Sequence, residues 1–255
     1  MKAEELLYRI GELVEYSLEK LKDSINPKPQ EKPPTFRFLK KIVKSKVTVH
    51  ELLVLKLQLA FILYLFVSLL IVVFLTNELY LVALTAIYFA YLRAIFRRYK
   101  GFFIEHKPYQ VFYYSISALG FLAFFGYSLL KRFAVEMYYS LGYLVLIFAV
   151  VIIFRHYFRS KYGRDWTYGV VEEIKGDLVR IYVHDDIRAN VKPGRYWVDR
   201  VPDLEIGRIV KVLVEERTFR SSVPVRIIEV YLSDQFSSSK ASTEAKEESE
   251  SNSSL

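Results

Sequence analysis

The chain has 255 residues, a formal net charge of +8, 53% apolar residues and no cysteine. The missing thiols exclude disulfides, thiolate catalysis and Cys-ligated zinc or iron–sulfur centres. Aromatic residues reach 16%, with 20 Tyr and 19 Phe, a load that suits a membrane protein whose amphipathic rings settle at the lipid–water boundary.

Residues 1–25 contain no apolar run of the secretory-signal kind. Leu7, Ile10, Val14, Leu18, Leu21 and Ile25 instead recur at three- and four-residue spacing, which predicts an amphipathic helix. Its four basic and six acidic side chains argue against a basic membrane-surface anchor. The stripe then packs against this protein or pairs with a partner helix. Four prolines within residues 26–35 predict an extended, semi-rigid linker.

Residues 36–47 are basic and amphipathic. Phe38, Leu39, Ile42 and Val43 share one helical face, while Arg37, Lys40, Lys41, Lys44 and Lys46 supply cations for anionic headgroups. Thr48 followed by Glu51 reads as a capping box that opens the first membrane helix.

A membrane span needs about 20 apolar residues at 1.5 Å rise each. Within 48–160, four stretches qualify, at about 52–75, 79–96, 109–130 and 137–154. Lys56 lies near the start of the first, where its stem can snorkel. Arg93, Arg97, Arg98 and Lys100 close the second, and Arg155 and Arg159 follow the fourth. Residues 26–162 carry 18 basic and five acidic side chains, so the whole positive excess flanks the spans. The 76–78 loop has no basic residue and the 131–136 loop has two. The positive-inside rule then places both termini in the cytoplasm of a multi-pass cell-membrane protein.

After Gly163 the apolar period changes from helical to alternating. Five strands are expected, over 168–175, 178–184, 196–201, 208–216 and 225–232. Val179, Ile181 and Val183 share one face of their strand, as do Val210, Val212 and Val214. Five short strands in residues 163–232 suggest an OB-like or SH3-like barrel. The fold class is thus an α+β membrane protein: four transmembrane helices, then a small β-barrel. Nine Ser and five acids make the tail at 233–255 a candidate for disorder.

The chemistry read along the chain is sparse. Midplane carboxylates and histidines of the transporter kind are missing from the spans, since Glu51, Glu78 and Glu136 sit at span ends. His50, His106, His156 and His184 form no metal-ligand spacing, although His106 and His156 share a boundary level. His184-Asp185-Asp186 reads as a solvated turn in preference to a cation site or base. No catalytic motif, cofactor or metal is expected, and the chain is read as a non-enzyme. An OB-like barrel raises single-stranded nucleic acid as a ligand. Residues 163–232 carry 12 basic and 12 acidic side chains, however, and lack the basic footprint that phosphates demand. The candidate interaction surface is Tyr182, Arg188, Lys192, Arg195, Trp197 and Phe219.

The stretches Arg93-Ala-Ile-Phe-Arg-Arg-Tyr and Tyr168-Gly-Val-Val-Glu-Glu-Ile-Lys-Gly-Asp carry a resemblance. Over residues 40–232 the chain resembles an uncharacterised family of archaeal membrane proteins with a multi-span anchor and a C-terminal β-rich domain. The resemblance implies no known activity. The low Asn, Gln and Met content agrees with a thermophilic source. By layout the chain is also similar to membrane proteins that end in an OB domain and partner with membrane proteases. The expected role is an anchor that presents the barrel to a protein partner or to a second copy. An oligomeric transporter or channel and a nucleic-acid-binding barrel are the alternatives.

Overall fold

In the computed structural model the described residues are 16, 20, 23, 27–30, 34, 48–75, 77–133, 137–202, 204–217 and 220–231. Most of the 1–25 helix, the 36–47 segment with Arg37, Lys40, Lys41, Lys44 and Lys46, and the tail at 233–255 lie outside them. The chain divides into two compact units, Met1–Tyr157 and Phe158–Leu255.

The first unit is built from apolar helices. Thr48 is extended, with φ −73° and ψ 162°, and caps α1 (Val49–Phe74). Its Oγ1 accepts from the Glu51 N–H at 3.5 Å, and its own N–H donates to Glu51 Oε2 at 3.1 Å. The reciprocal pair satisfies two donors that a helix start leaves orphaned. Then follow α2 (Leu79–Arg98), a 3-10 turn (Lys100–Phe102), α3 (His106–Phe133) and α4 (Met137–Tyr162). All four α-helices are long and apolar enough to cross a membrane. The last three outrun the apolar stretches read from sequence, because helical hydrogen bonds continue into polar flanks after hydropathy has fallen.

Leu52, Leu53, Leu57, Leu81, Leu92 and Phe96 are fully buried where α1, α2 and α3 meet. Polar side chains join them. Tyr64 and Tyr88 stack at 4.4 Å, and the Tyr64 hydroxyl bonds Thr85 Oγ1 at 3.2 Å. At the other end of α2, Glu78 accepts from Ser128 and Arg132 of α3, the latter at 2.6 Å. α4 is held more sparsely. Tyr143 donates to the carbonyls of Leu122 and Ala123, seated where Gly126 has no Cβ, and Phe154 meets Phe112 at 6.0 Å.

The second unit contains β1 (Trp166–Lys175), β2 (Leu178–Val183), β3 (Gly194–Asp199), β4 (Ile209–Glu215) and β5 (Val223–Tyr231). They close in the order β1-β2-β3-β5-β4. Every pairing is antiparallel except β3–β5, which is parallel with Asp199 opposite Arg226. This five-strand Greek-key closure is the OB-like arrangement of the two barrels expected. Alternation decides which side chains face in. Val179, Ile181 and Val183 of β2 and Val210, Val212 and Val214 of β4 are buried together with Val171, Val198 and Ile227. Gly176 opens the two-residue β1–β2 turn with φ +59°, a left-handed conformation that favours glycine.

Candidate functional site

The outer face of β1–β2–β3 gathers part of the sequence-predicted surface. Antiparallel register sets Tyr182 opposite Arg195, and Arg180 opposite Trp197. Outward positions alternate along each strand, so Leu178, Arg180 and Tyr182 line up beside Arg195 and Trp197. Trp197 and Leu178 are each 46% exposed. The Arg180 guanidinium stands 5.7 Å from the Trp197 ring centre, and His184 meets the Tyr182 ring edge-on at 5.2 Å.

The arginines of this face are matched by carboxylates. A bulge between Val171 and Glu173 shifts the β1 register. Glu172 then accepts from Arg195 Nε at 2.7 Å and lies 3.4 Å from Arg180 Nε as an ion pair, while Arg180 Nη1 stands 2.7 Å from Glu173. The Arg195 hydrogen bond, aided by both arginine charges, holds the Glu172 carboxyl below its usual range. The face is therefore apolar and aromatic at its centre, with its charges internally neutralised.

The other predicted surface residues go elsewhere. Lys192 is exposed in the β2–β3 connection, where its carbonyl accepts from the Tyr196 hydroxyl at 2.9 Å. Arg188 is not part of the face: its Nε donates to the Tyr162 carbonyl at 2.8 Å. Phe219 lies outside the described residues. Leu178, Arg180, Glu172 and Glu173 belong to the face without having been singled out by sequence. Strand alternation alone was enough to place Arg180 and Leu178 with Tyr182.

Asp186 has a different role from the solvated turn that His184-Asp185-Asp186 suggested. Its Oδ2 accepts from Arg164 Nη2 at 2.8 Å and Thr167 Oγ1 at 2.7 Å, and its Oδ1 from the N–H groups of Arg188 and Ala189 at 3.0 and 3.1 Å. The Arg164 and Asp186 side chains are only 8% and 10% exposed. This is a buried structural ion pair that fastens residues 164–167 to the 186–189 turn. The Arg164 guanidinium also lies 4.2 Å from the Trp166 ring centre. A second pair, Arg159–Glu216, joins the last turn of α4 to the residue after β4.

Across the barrel, Glu229 accepts from the Tyr231 hydroxyl and from Lys211 at 3.1 Å. The hydroxyl first, then the lysine, holds the Glu229 carboxyl low. Burial, followed by Glu229 itself, pushes the Tyr231 phenol up.

Among the interfacial cations, Arg93, Arg97, Arg98, Lys100 and Arg155 are exposed. Lys56 is half-buried, with Nζ 5.9 Å from the ring centres of both Tyr91 and Tyr99. His106 bonds the Phe96 carbonyl at 3.0 Å and His156 is exposed. Among the described residues no group of three or more His, Cys, Asp or Glu is placed to hold a metal.

Residues 21–228 match a family described as "predicted membrane protein (DUF2101)". The chain belongs to that family. No curated protein matches the chain, and no solved structure does. The family's description agrees with the four long apolar helices and goes no further toward a biochemical role.

Proposed function

We propose that this protein is a non-enzymatic membrane anchor that presents the outer β1–β2–β3 face of its barrel to a protein partner in the cytoplasm. The observation that carries the reading is the half-exposed Trp197 and Leu178 beside arginines already paired with Glu172 and Glu173. Tryptophan and arginine are the residues that dominate protein interfaces. A nucleic-acid ligand would need cations available for phosphate, whereas Arg180 is held by Glu173 and Arg195 by Glu172 of the same face. The distribution of basic loops supports cytoplasmic termini and a cytoplasmic barrel.

A photo-crosslinking residue at position 197, in the full chain in native membranes, tests the docking face. Discrete protein adducts are expected there and not from the exposed Glu215 position. Equal adducts from both positions would refute the assignment. The chain has no cysteine, so a single Lys175→Cys reports orientation directly. Labelling by an impermeant maleimide is expected only after the membrane is opened. Labelling of sealed cells would overturn the cytoplasmic placement.

A further inference from the structure

The connection between β4 and β5 is pinned beside the last turn of α4. Glu216 pairs with Arg159 of that turn. A second tether runs through the 186–190 turn. Arg188 Nε donates to the Tyr162 carbonyl at 2.8 Å, and Asn190 Nδ2 donates to the Arg220 carbonyl at 3.2 Å. The Ser222 N–H donates to the Asn190 carbonyl at 2.8 Å, and the Arg220 N–H to the Arg217 carbonyl at 3.3 Å. The connection is thus held at both ends, and it presents Arg217 and Arg220 with exposed side chains. Among the described residues neither guanidinium takes part in an ion pair. Arg155 and Lys161 of α4 add positive charge at the same end. Of the carboxylates nearby, Glu216 faces Arg159 and Asp186 faces Arg164, which leaves Glu215 exposed against this surplus of cations.

Depth decides what these cations meet. The apolar stretch of α4 ends near Phe154, and Arg159 follows five residues on in the same helix, about 7.5 Å along the axis at 1.5 Å per residue. The polar layer on each side of a hydrocarbon core is about 5–8 Å deep, which is the level of the Arg159–Glu216 pair. We propose that the β4–β5 connection docks on the anionic membrane surface, with Arg217 and Arg220 on lipid phosphates. An arginine feels an anionic bilayer only within a Debye length, about 10 Å, and the tether to α4 keeps both arginines inside that reach. The fold itself brings no other polyanion so near. This surface is separate from the outer β1–β2–β3 face, and the inference holds whether or not that face docks a partner.

The test uses the full chain with Ser221→Cys, labelled with a polarity-sensitive fluorophore and reconstituted in vesicles. Phosphatidylcholine vesicles containing phosphatidylglycerol are expected to shift the emission to the blue relative to phosphatidylcholine alone. The same label at Leu178→Cys, on the outer β1–β2–β3 face, should not respond. R217Q and R220Q should each lower the docked-to-undocked ratio about fivefold, while R217K with R220K keeps it. Retention by the lysine variants assigns the effect to charge, and the tryptophan melt of the barrel should be the same in all of them. A shift of equal size in phosphatidylcholine alone, or one that survives R217Q and R220Q together, overturns the proposal. A matching shift from Leu178→Cys overturns it too, because the response would not belong to this connection. So does an equal shift when inorganic phosphate is added to phosphatidylcholine vesicles, since the arginines would then take a soluble anion.

Discussion

Replacing Asp186 by alanine should destabilise the barrel by about 3–5 kcal/mol, the usual cost of removing one partner of a buried ion pair. The structure explains the size. Asp186 accepts four hydrogen bonds, and the change strands the Arg164 guanidinium, the Thr167 hydroxyl and two backbone N–H groups at once. For a unit of this length that loss lowers the melting temperature by roughly 15–30 °C. The assay is intrinsic fluorescence of the full chain in detergent during heating. The two tryptophans, Trp166 and Trp197, both belong to the barrel, so the helices contribute no tryptophan signal. Replacing the pair together, Arg164→Met with Asp186→Leu, should cost less than Asp186→Ala alone, because no uncompensated charge is left inside. A loss below about 1 kcal/mol for Asp186→Ala, or a double variant worse than the single, would refute the reasoning.

Glu172 has its folded-state pKa depressed by Arg195 and Arg180, so the pair contributes stability above the unfolded carboxyl value of about 4.3 and loses it as pH falls through the lower folded value. Acid titration of the melting temperature should show that loss in the wild-type chain and a shallower one in Glu172→Gln. Gly176→Ala should cost about 1 kcal/mol, since φ is +59° at the β1–β2 turn, read as a shift in the same thermal melt. Thr48→Ala removes the α1 cap and should cost about 1 kcal/mol of helical-unit stability, measured by denaturant-dependent circular dichroism. Gly126→Ala places a methyl group against the Tyr143 hydroxyl and should loosen α4 from α3. Disulfide formation between cysteines at 112 and 154, now ring neighbours at 6.0 Å, should slow in that background.

The four helices were legible because span length and hydropathy are properties of contiguous sequence, and Thr48–Glu51 is a local signal that the cap reproduces. The barrel strands were legible for a similar reason: alternation at Val179, Ile181 and Val183 survives whatever the strand order. What sequence did not reveal depends on contacts between distant residues. Asp186 sits among polar neighbours and looks solvated until the fold brings Arg164 beside it from 22 residues away. Arg188 looked like a surface cation, yet it is drawn to the Tyr162 carbonyl because the same turn places it there. The neutralised arginines of the outer face rest on the bulge after Val171, whose position no local pattern marks. The sparse packing of α4 was equally hidden, since a lipid-facing helix and a helix packed on its neighbours share one hydropathy.

The parallel β3–β5 pairing has a consequence for how any partner can attach. An open sheet offers a row of unpaired backbone groups onto which a foreign strand can be zipped. Here β5 lies between β3 and β4, and the circle is complete. The circle closes there through one residue pair, Asp199 opposite Arg226, so the β3–β5 seam is the one place between strands where an added strand could find backbone groups outside the ladder. On the outer β1–β2–β3 face the edges shared by neighbouring strands are already paired, so a partner docking there as proposed would read side chains around the Trp197 ring and not a ladder of peptide bonds.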